Sequence, residues 1–195
     1  MPLWGATDAD ESKPKWLTTA QKKEVFADTT GWVVEGGSTM TGNDNTSAAP
    51  EILAAIGSLT TKIGAADVTG VEWITTAADK SAGFTLSVRV RWNEAVTVTG
   101  NPTLAVTNGN QGTGSGRGPH SLVYASGSGS NELVFSLAIA AANAATNADD
   151  VLTVAAQTIA LAGGTIKDTA DGTTVSARAI SGAQGTACGS ITVVA

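Results

Sequence analysis

Apolar and polar residues alternate without a break through "GFTLSVRVRW". Phe84, Leu86, Val88, Val90 and Trp92 fall on one face and Thr85, Ser87, Arg89 and Arg91 on the other. A period of two is the signature of a strand buried on one side. The segments "EAVTVTG", "PTLAVTN", "HSLVYASG" and "NELVFSLAI" follow, divided by Gly100, Asn101, Pro102, Asn108, Gly109 and the run from Gly127 to Asn131. "VLTVAAQTIALAGGTIKDTADGTTV" and "GSITVVA" complete the series. Seven or more short strands at intervals of about 8–12 residues predict an antiparallel β-sandwich, with no helix interrupting it. Its expected core is Phe84, Leu86, Val88, Val90, Leu104, Leu133, Phe135 and Leu137, and a Trp on an inward strand position, as at Trp73 and Trp92, belongs to the same core.

The first third of the chain lacks this alternation. Residues 1–66 read as an extended arm and residues 67–195 as the sandwich. Within the arm, Thr18 and Gln21 stand at capping-box spacing, so "TAQKKEVF" predicts a short helix. "GGSTMTGNDNTSAAP" has the composition of a looped link. Trp32 in "GWVV" is placed to start a strand. "PEILAAIGSL" is open between a helix, which Pro50 at its start favours, and a buried strand, which the short apolar run before Gly57 suits equally.

Composition narrows the chemistry. Of the 195 residues only 14% are charged, so Thr, Ser, Asn and Gly must supply the polar surface. A net charge of −6, with 11 scattered basic residues, argues against nucleic acid as a partner. One cysteine, Cys188, closes no intramolecular disulfide and is expected as a buried free thiol. No basic-then-apolar leader and no apolar stretch of membrane-spanning length is present, so the expected product is made in the cytoplasm and contacts no membrane.

No constellation of catalytic residues stands out. His120 has no Cys or second His near it, no nucleophile elbow accompanies it, and it sits at the end of a Gly-rich loop, so it is expected at the surface. Asp149 with Asp150, and Asp168 with Asp171, offer oxygens of the kind calcium takes, although Asp and Gly also punctuate strands, and turn chemistry is the reading adopted. Glu72, Glu94 and Glu132 are too far apart in sequence to be read as a paired acid and base. No cofactor, no metal and no enzymatic activity are expected. Trp4 and Trp16 remain unexplained by this frame, because Pro2, Gly5, Asp8, Asp10, Glu11 and Pro14 around them build no local core. A large apolar ring in water forgoes roughly 1.5–3 kcal/mol. Another surface is therefore expected to cover them.

"FTLSVRVRWNEAVTVTGNPTLAVTNG", "LVYASGSGSNELVFSLAIAAAN" and "IALAGGTIKDTADG" together resemble the bacterial immunoglobulin-like repeat of large surface proteins, over about a hundred residues. The departure is "GNQGTGSGRGPH", which lengthens one hairpin loop. "PLWGATDADESKPKWL", "GWVV" and "PEILAAIGSL" are similar to the N-terminal region of small structural proteins of tailed phages of marine bacteria. The two resemblances imply an all-β virion protein, an immunoglobulin-like sandwich behind an N-terminal anchoring arm or small capsid-binding region, arranged like a capsid decoration protein. Leu3, Trp4, Gly5, Lys13, Pro14, Lys15, Trp16 and Leu17 are then the residues expected to hold the major capsid protein or another virion protein, with contacts between copies. Asn110, Gln111, Arg117 and His120 are expected on an exposed tip loop. The alternative is a tail- or neck-associated adhesin whose tip loop recognises a host glycan or protein.

Overall fold

The computed structural model describes residues 13–28, 31–55, 65–109, 119–141, 145–170 and 172–195. These residues are mostly strand, with one short α-helix.

Where an extended arm is expected, the described residues build a small antiparallel sheet. Strands β1 (Val25–Asp28), β2 (Gly31–Val34) and β3 (Glu51–Ala55) lie in that order. "PEILAA" is a strand, though not the buried one expected, since Glu51, Ile52 and Ala55 are exposed, and "GWVV" is a strand as its Trp led one to expect. All four residues of β2 are buried, so neither face is free to be polar and no alternation betrays it. On one face Val25, Ala27, Trp32 and Val34 form a cluster with Leu17, against which Met40, Leu53 and Ala54 pack. The capping box is real: Thr18 N–H donates to Gln21 Oε1 at 2.9 Å and Gln21 N–H to Thr18 Oγ1 at 3.3 Å. The helix it opens is only a 3-10 turn, Gln21–Lys23, because the β-branched and aromatic run from Val25 takes the chain into β1.

The remaining strands form one sheet that curls on itself. They are β4 (Val68–Trp73), β5 (Ala78–Asp79), β6 (Phe84–Thr99), β7 (Thr103–Gly109), β8 (His120–Ser126), β9 (Ser130–Ile139) and β10 (Val151–Thr153). A two-stranded ribbon pairs β11 (Gln157–Thr158) with β13 (Ala179–Ile180). Strands β12 (Thr165–Asp168) and β14 (Ser190–Val194) complete the set. The order is β12-β6-β9-β8-β7-β10-β14-β5, and β4 shares with β12 the edge of β6 opposite β9. Neighbours are antiparallel except β14 and β5. Helix α1 (Gly182–Cys188) lies against β4, and Gln184 Nε2 donates to Val68 O at 2.8 Å.

The curl encloses the expected core. Leu86, Val88, Val90, Leu104, Leu133 and Phe135 are fully buried, while Phe84 and Leu137 pack at its margin. Trp92 lies inside with its indole N–H on Ala177 O at 2.9 Å. Trp73 is half-buried at the margin and donates to Gly189 O at 3.3 Å. In the segment "YASGSGSN" the hydroxyls of Tyr124, Ser128 and Ser130 tie the turn together. Ser128 N–H donates to Tyr124 Oη, Val98 N–H donates to Ser128 Oγ, and Ser130 Oγ donates to Gly127 O. Gly127 holds a φ of 106°, and a Cβ there would stand 1.9 Å from Glu132 O, so no other residue fits the turn.

Candidate functional site

Of the residues expected to face a partner, Leu3, Trp4 and Gly5 lie outside the described residues. The others divide. Lys13 is turned inward, only 6% exposed, with its ammonium on Lys22 O at 2.6 Å. Pro14 is buried as well, and Leu17 belongs to the small cluster under β2. Within the chain itself Lys13, Pro14 and Leu17 are thus covered rather than set on a rim: Leu17 packs with Val25 and Trp32, and the Lys13 ammonium is taken up by a backbone carbonyl. Lys15 and Trp16 are exposed, and Trp16 at 68% is the most exposed large apolar side chain among the described residues.

A second site is built from the outward face of the large sheet. Register sets Arg91 on β6 opposite Glu132 on β9, and Arg89 opposite Glu72 on β4, so four charged side chains share one face. Alone, such a face would be solvated. Here β1 packs across β6, and Glu35, just after β2, reaches the same guanidinium. Arg91 is left 6% exposed at its side chain. Its Nε donates to Glu132 Oε1 at 2.6 Å, and its Nη2 lies 3.0 Å from Glu35 Oε1 and 3.6 Å from Glu72 Oε2. Its Nη1 donates to Lys23 O at 3.4 Å. Arg89 Nε stands 3.3 Å from Glu132 Oε2, and Lys23 Nζ 3.7 Å from Glu72 Oε1. Glu72 and Glu132, distant in sequence, are thus gathered around one arginine. The cross-strand pairing of "RVR" with "VEW" and "NEL" carries a signal for this grouping, whereas nothing local marks Glu35.

The electrostatics follow from that packing. Burial, reinforced by a hydrogen bond with Glu132, pushes the Glu35 carboxyl up to about 8. Burial acts upward on Glu132 too, but its hydrogen bond with Glu35 and the charges of Arg91 and Arg89 outweigh it and hold Glu132 below the usual carboxylate range. Glu35 is the protonated member at neutral pH. Its Oε2 is buried and receives no donor, which suits the neutral acid better than the carboxylate. Beside the pair runs a cleft of about 550 Å³, walled by Phe26, Glu35, Gly36 and Gly37 on one side and by Arg89, Ser130 and Glu132 on the other.

His120 corrects another expectation. Asn110, Gln111 and Arg117 of the tip loop lie outside the described residues, but His120 opens β8 and is 5% exposed. It shares the inward face with Leu122 and bonds Thr146 Oγ1 through Nε2 at 3.0 Å. Burial lowers its pKa, and Asp150 only partly opposes this. A histidine neutral in the fold and charged when unfolded takes stability away as pH falls below its ordinary 6.5. Wild type should therefore lose melting temperature relative to His120→Gln on acidification below that value; a constant difference between the two would contradict this.

Asp150 and Asp168 do turn work, Asp150 Oδ2 accepting from Asn147 N at 2.8 Å and Asp168 Oδ1 from Ala170 N at 2.7 Å, while Asp171 lies outside the described residues. Cys188 is free, and burial pushes its thiol up to about 11, leaving it unreactive at neutral pH. No protein-family model, no curated protein and no solved structure matches the chain.

Proposed function

We propose that the protein is a non-enzymatic structural protein of a tailed-phage virion, a decoration protein that holds the capsid exterior through its N-terminal residues and presents an immunoglobulin-like sandwich to solvent. The observation that carries this reading is Trp16. It stands 68% exposed between an exposed Lys15 and a Leu17 that is 7% exposed, so the fold fixes its backbone and leaves its ring outside. An anchored base with a bare indole suits a peg for an apolar pocket, and tryptophans in such pockets are frequent binding hot spots. The curled sheet and the hydroxyl-tied "YASGSGSN" turn support the immunoglobulin-like part of the reading. The partner is the major capsid protein or another virion protein, with contacts between copies; nucleic acid and membrane are not partners. No described helix is long and apolar enough to cross a membrane.

Trp16→Ala should leave the melting temperature of the isolated protein nearly unchanged, because the ring makes little contact there. It should weaken binding to particles lacking the protein by about 2 kcal/mol or more, the usual cost of truncating a hot-spot tryptophan. A variant that melts many degrees lower and still binds particles as wild type does would show that Trp16 serves the chain's own fold.

A further inference from the structure

Among the described residues, the ties between the β1-β2-β3 sheet and the large sheet converge on one cluster. Glu35 comes from the small sheet; Glu72, Arg89, Arg91 and Glu132 come from three adjacent strands of the large one. We propose that the carboxyl pair Glu35–Glu132, clamped by Arg91, is a proton-operated clasp that holds the small sheet closed on the β4-β6-β9 face and loosens when Glu35 ionises.

The geometry supplies both states. In the closed one, Glu35 gives Oε1 to Arg91 while its buried Oε2 has no donor, so the neutral acid, donating to Glu132, is the form that fits. Ionised, the same oxygen would face the Glu132 carboxylate with Arg91 already shared among three glutamates. Two like charges at hydrogen-bond distance disfavour each other strongly, and a buried charge without a partner is costlier still. The adjoining cleft gives water a way to the new charge if the sheets part. Opening would uncover Phe26 and Val33, 7% and 1% exposed, which lie on the face of β1 and β2 opposite Trp32.

The other charged groups around the pair cannot take over its titration in this range. Arg91 is held charged: burial acts against its charge, but Glu132, Glu35 and Glu72 outweigh it and raise its pKa. Arg89 on β6 is paired with Glu132, and Lys23 beside β1 with Glu72. Glu72 on β4 is ion-paired to Lys23 and Arg91. Cys188 on α1 stays a thiol up to about 11. Glu24, next to β1, accepts from Ser38 Oγ at 2.5 Å.

The sign is fixed by linkage. The closed form binds the Glu35 proton up to about 8 and the open form only to about 4.5, so closure is fully favoured below 4.5, weakens through that window and levels off above 8. Amide hydrogen exchange on the full chain reads this directly. Protection factors in β1 and β2 should fall by up to about tenfold per pH unit between pH 5 and 8 and then flatten, while staying below those of β8 and β9. Glu35→Gln, neutral at every pH, should fold, keep the small sheet protected and abolish the slope. The clasp is refuted if wild type shows no slope, if Glu35→Gln keeps it, if that variant does not fold, or if β1 and β2 are as protected as β8 and β9 throughout.

Discussion

Replacing Arg91 by methionine should destabilise the protein by about 3–5 kcal/mol, the range for breaking a buried ion pair by removing one partner. The side chain is 6% exposed and holds Glu35, Glu72 and Glu132. Methionine fills much of the volume but leaves the Glu132 carboxylate at 23% exposure and Glu72 at 32%, deprived of the guanidinium that offset their partial desolvation. Two features identify the cause. Acidification should restore part of the loss as the glutamates protonate, and Arg91→Met with Glu132→Leu should be less destabilised than Arg91→Met alone, since the second change removes the orphaned charge. Denaturant unfolding at neutral pH measures the effect. A loss under about 1 kcal/mol would class the cluster with exposed surface pairs, in spite of its burial.

Phe135→Ala should cost about 3–5 kcal/mol, the range for truncating a buried aromatic ring. Phe135 is wholly buried on β9, opposite Val88 on one neighbour and Tyr124 on the other. Its ring meets that of Tyr124 edge-on, centroids 6.2 Å apart at 73°. Removing it takes away apolar burial and opens a hole that strands locked on both sides cannot collapse into. It should also loosen Tyr124, whose hydroxyl accepts from Ser128 N–H, and through it the Gly127 turn. Thermal or denaturant unfolding decides the matter; a cost below about 1.5 kcal/mol, as for a volume-conserving change, would place the ring outside the packed core.

What could be read in advance depended on whether one face of an element was left to water. Strand β6 through Trp92, β7 and β9 declare themselves because polar residues alternate with core residues, and of the core they predict all but Phe84 and Leu137, which pack at its margin, are fully buried. The N-terminal strands are silent for the opposite reason: β1 and β2 are four residues each, and β2 is buried on both faces. The same covering hides the site. Arg89 and Arg91 look like a solvated face until the small sheet lies across them, and Glu35, leaving β2 into a turn, has no periodicity to mark it.

Other signals were present and outweighed. His120 stands two residues before Leu122, the spacing of one strand face, but the glycines before it point to a loop. Helix α1 was not expected, although Ser181 and Gln184 form a capping box. Its glycines argue against a helix, yet Gly185 is required, since a Cβ there would lie 2.2 Å from Val154 O. The spacing of a hydroxyl residue three before a Gln, which revealed the turn at Thr18, was equally legible at Ser181.

The proposal that this chain decorates a capsid rests on an exposed peg at a fixed N-terminal base, and its most direct test is abundance in the particle. On the proposal a phage encodes the chain, and quantitative mass spectrometry of that phage's purified virions gives the copy number relative to the major capsid protein. The account predicts a copy number of the same order as that of the major capsid protein. A copy number in the range of neck or tail-tip proteins, or absence from the particle, would contradict it.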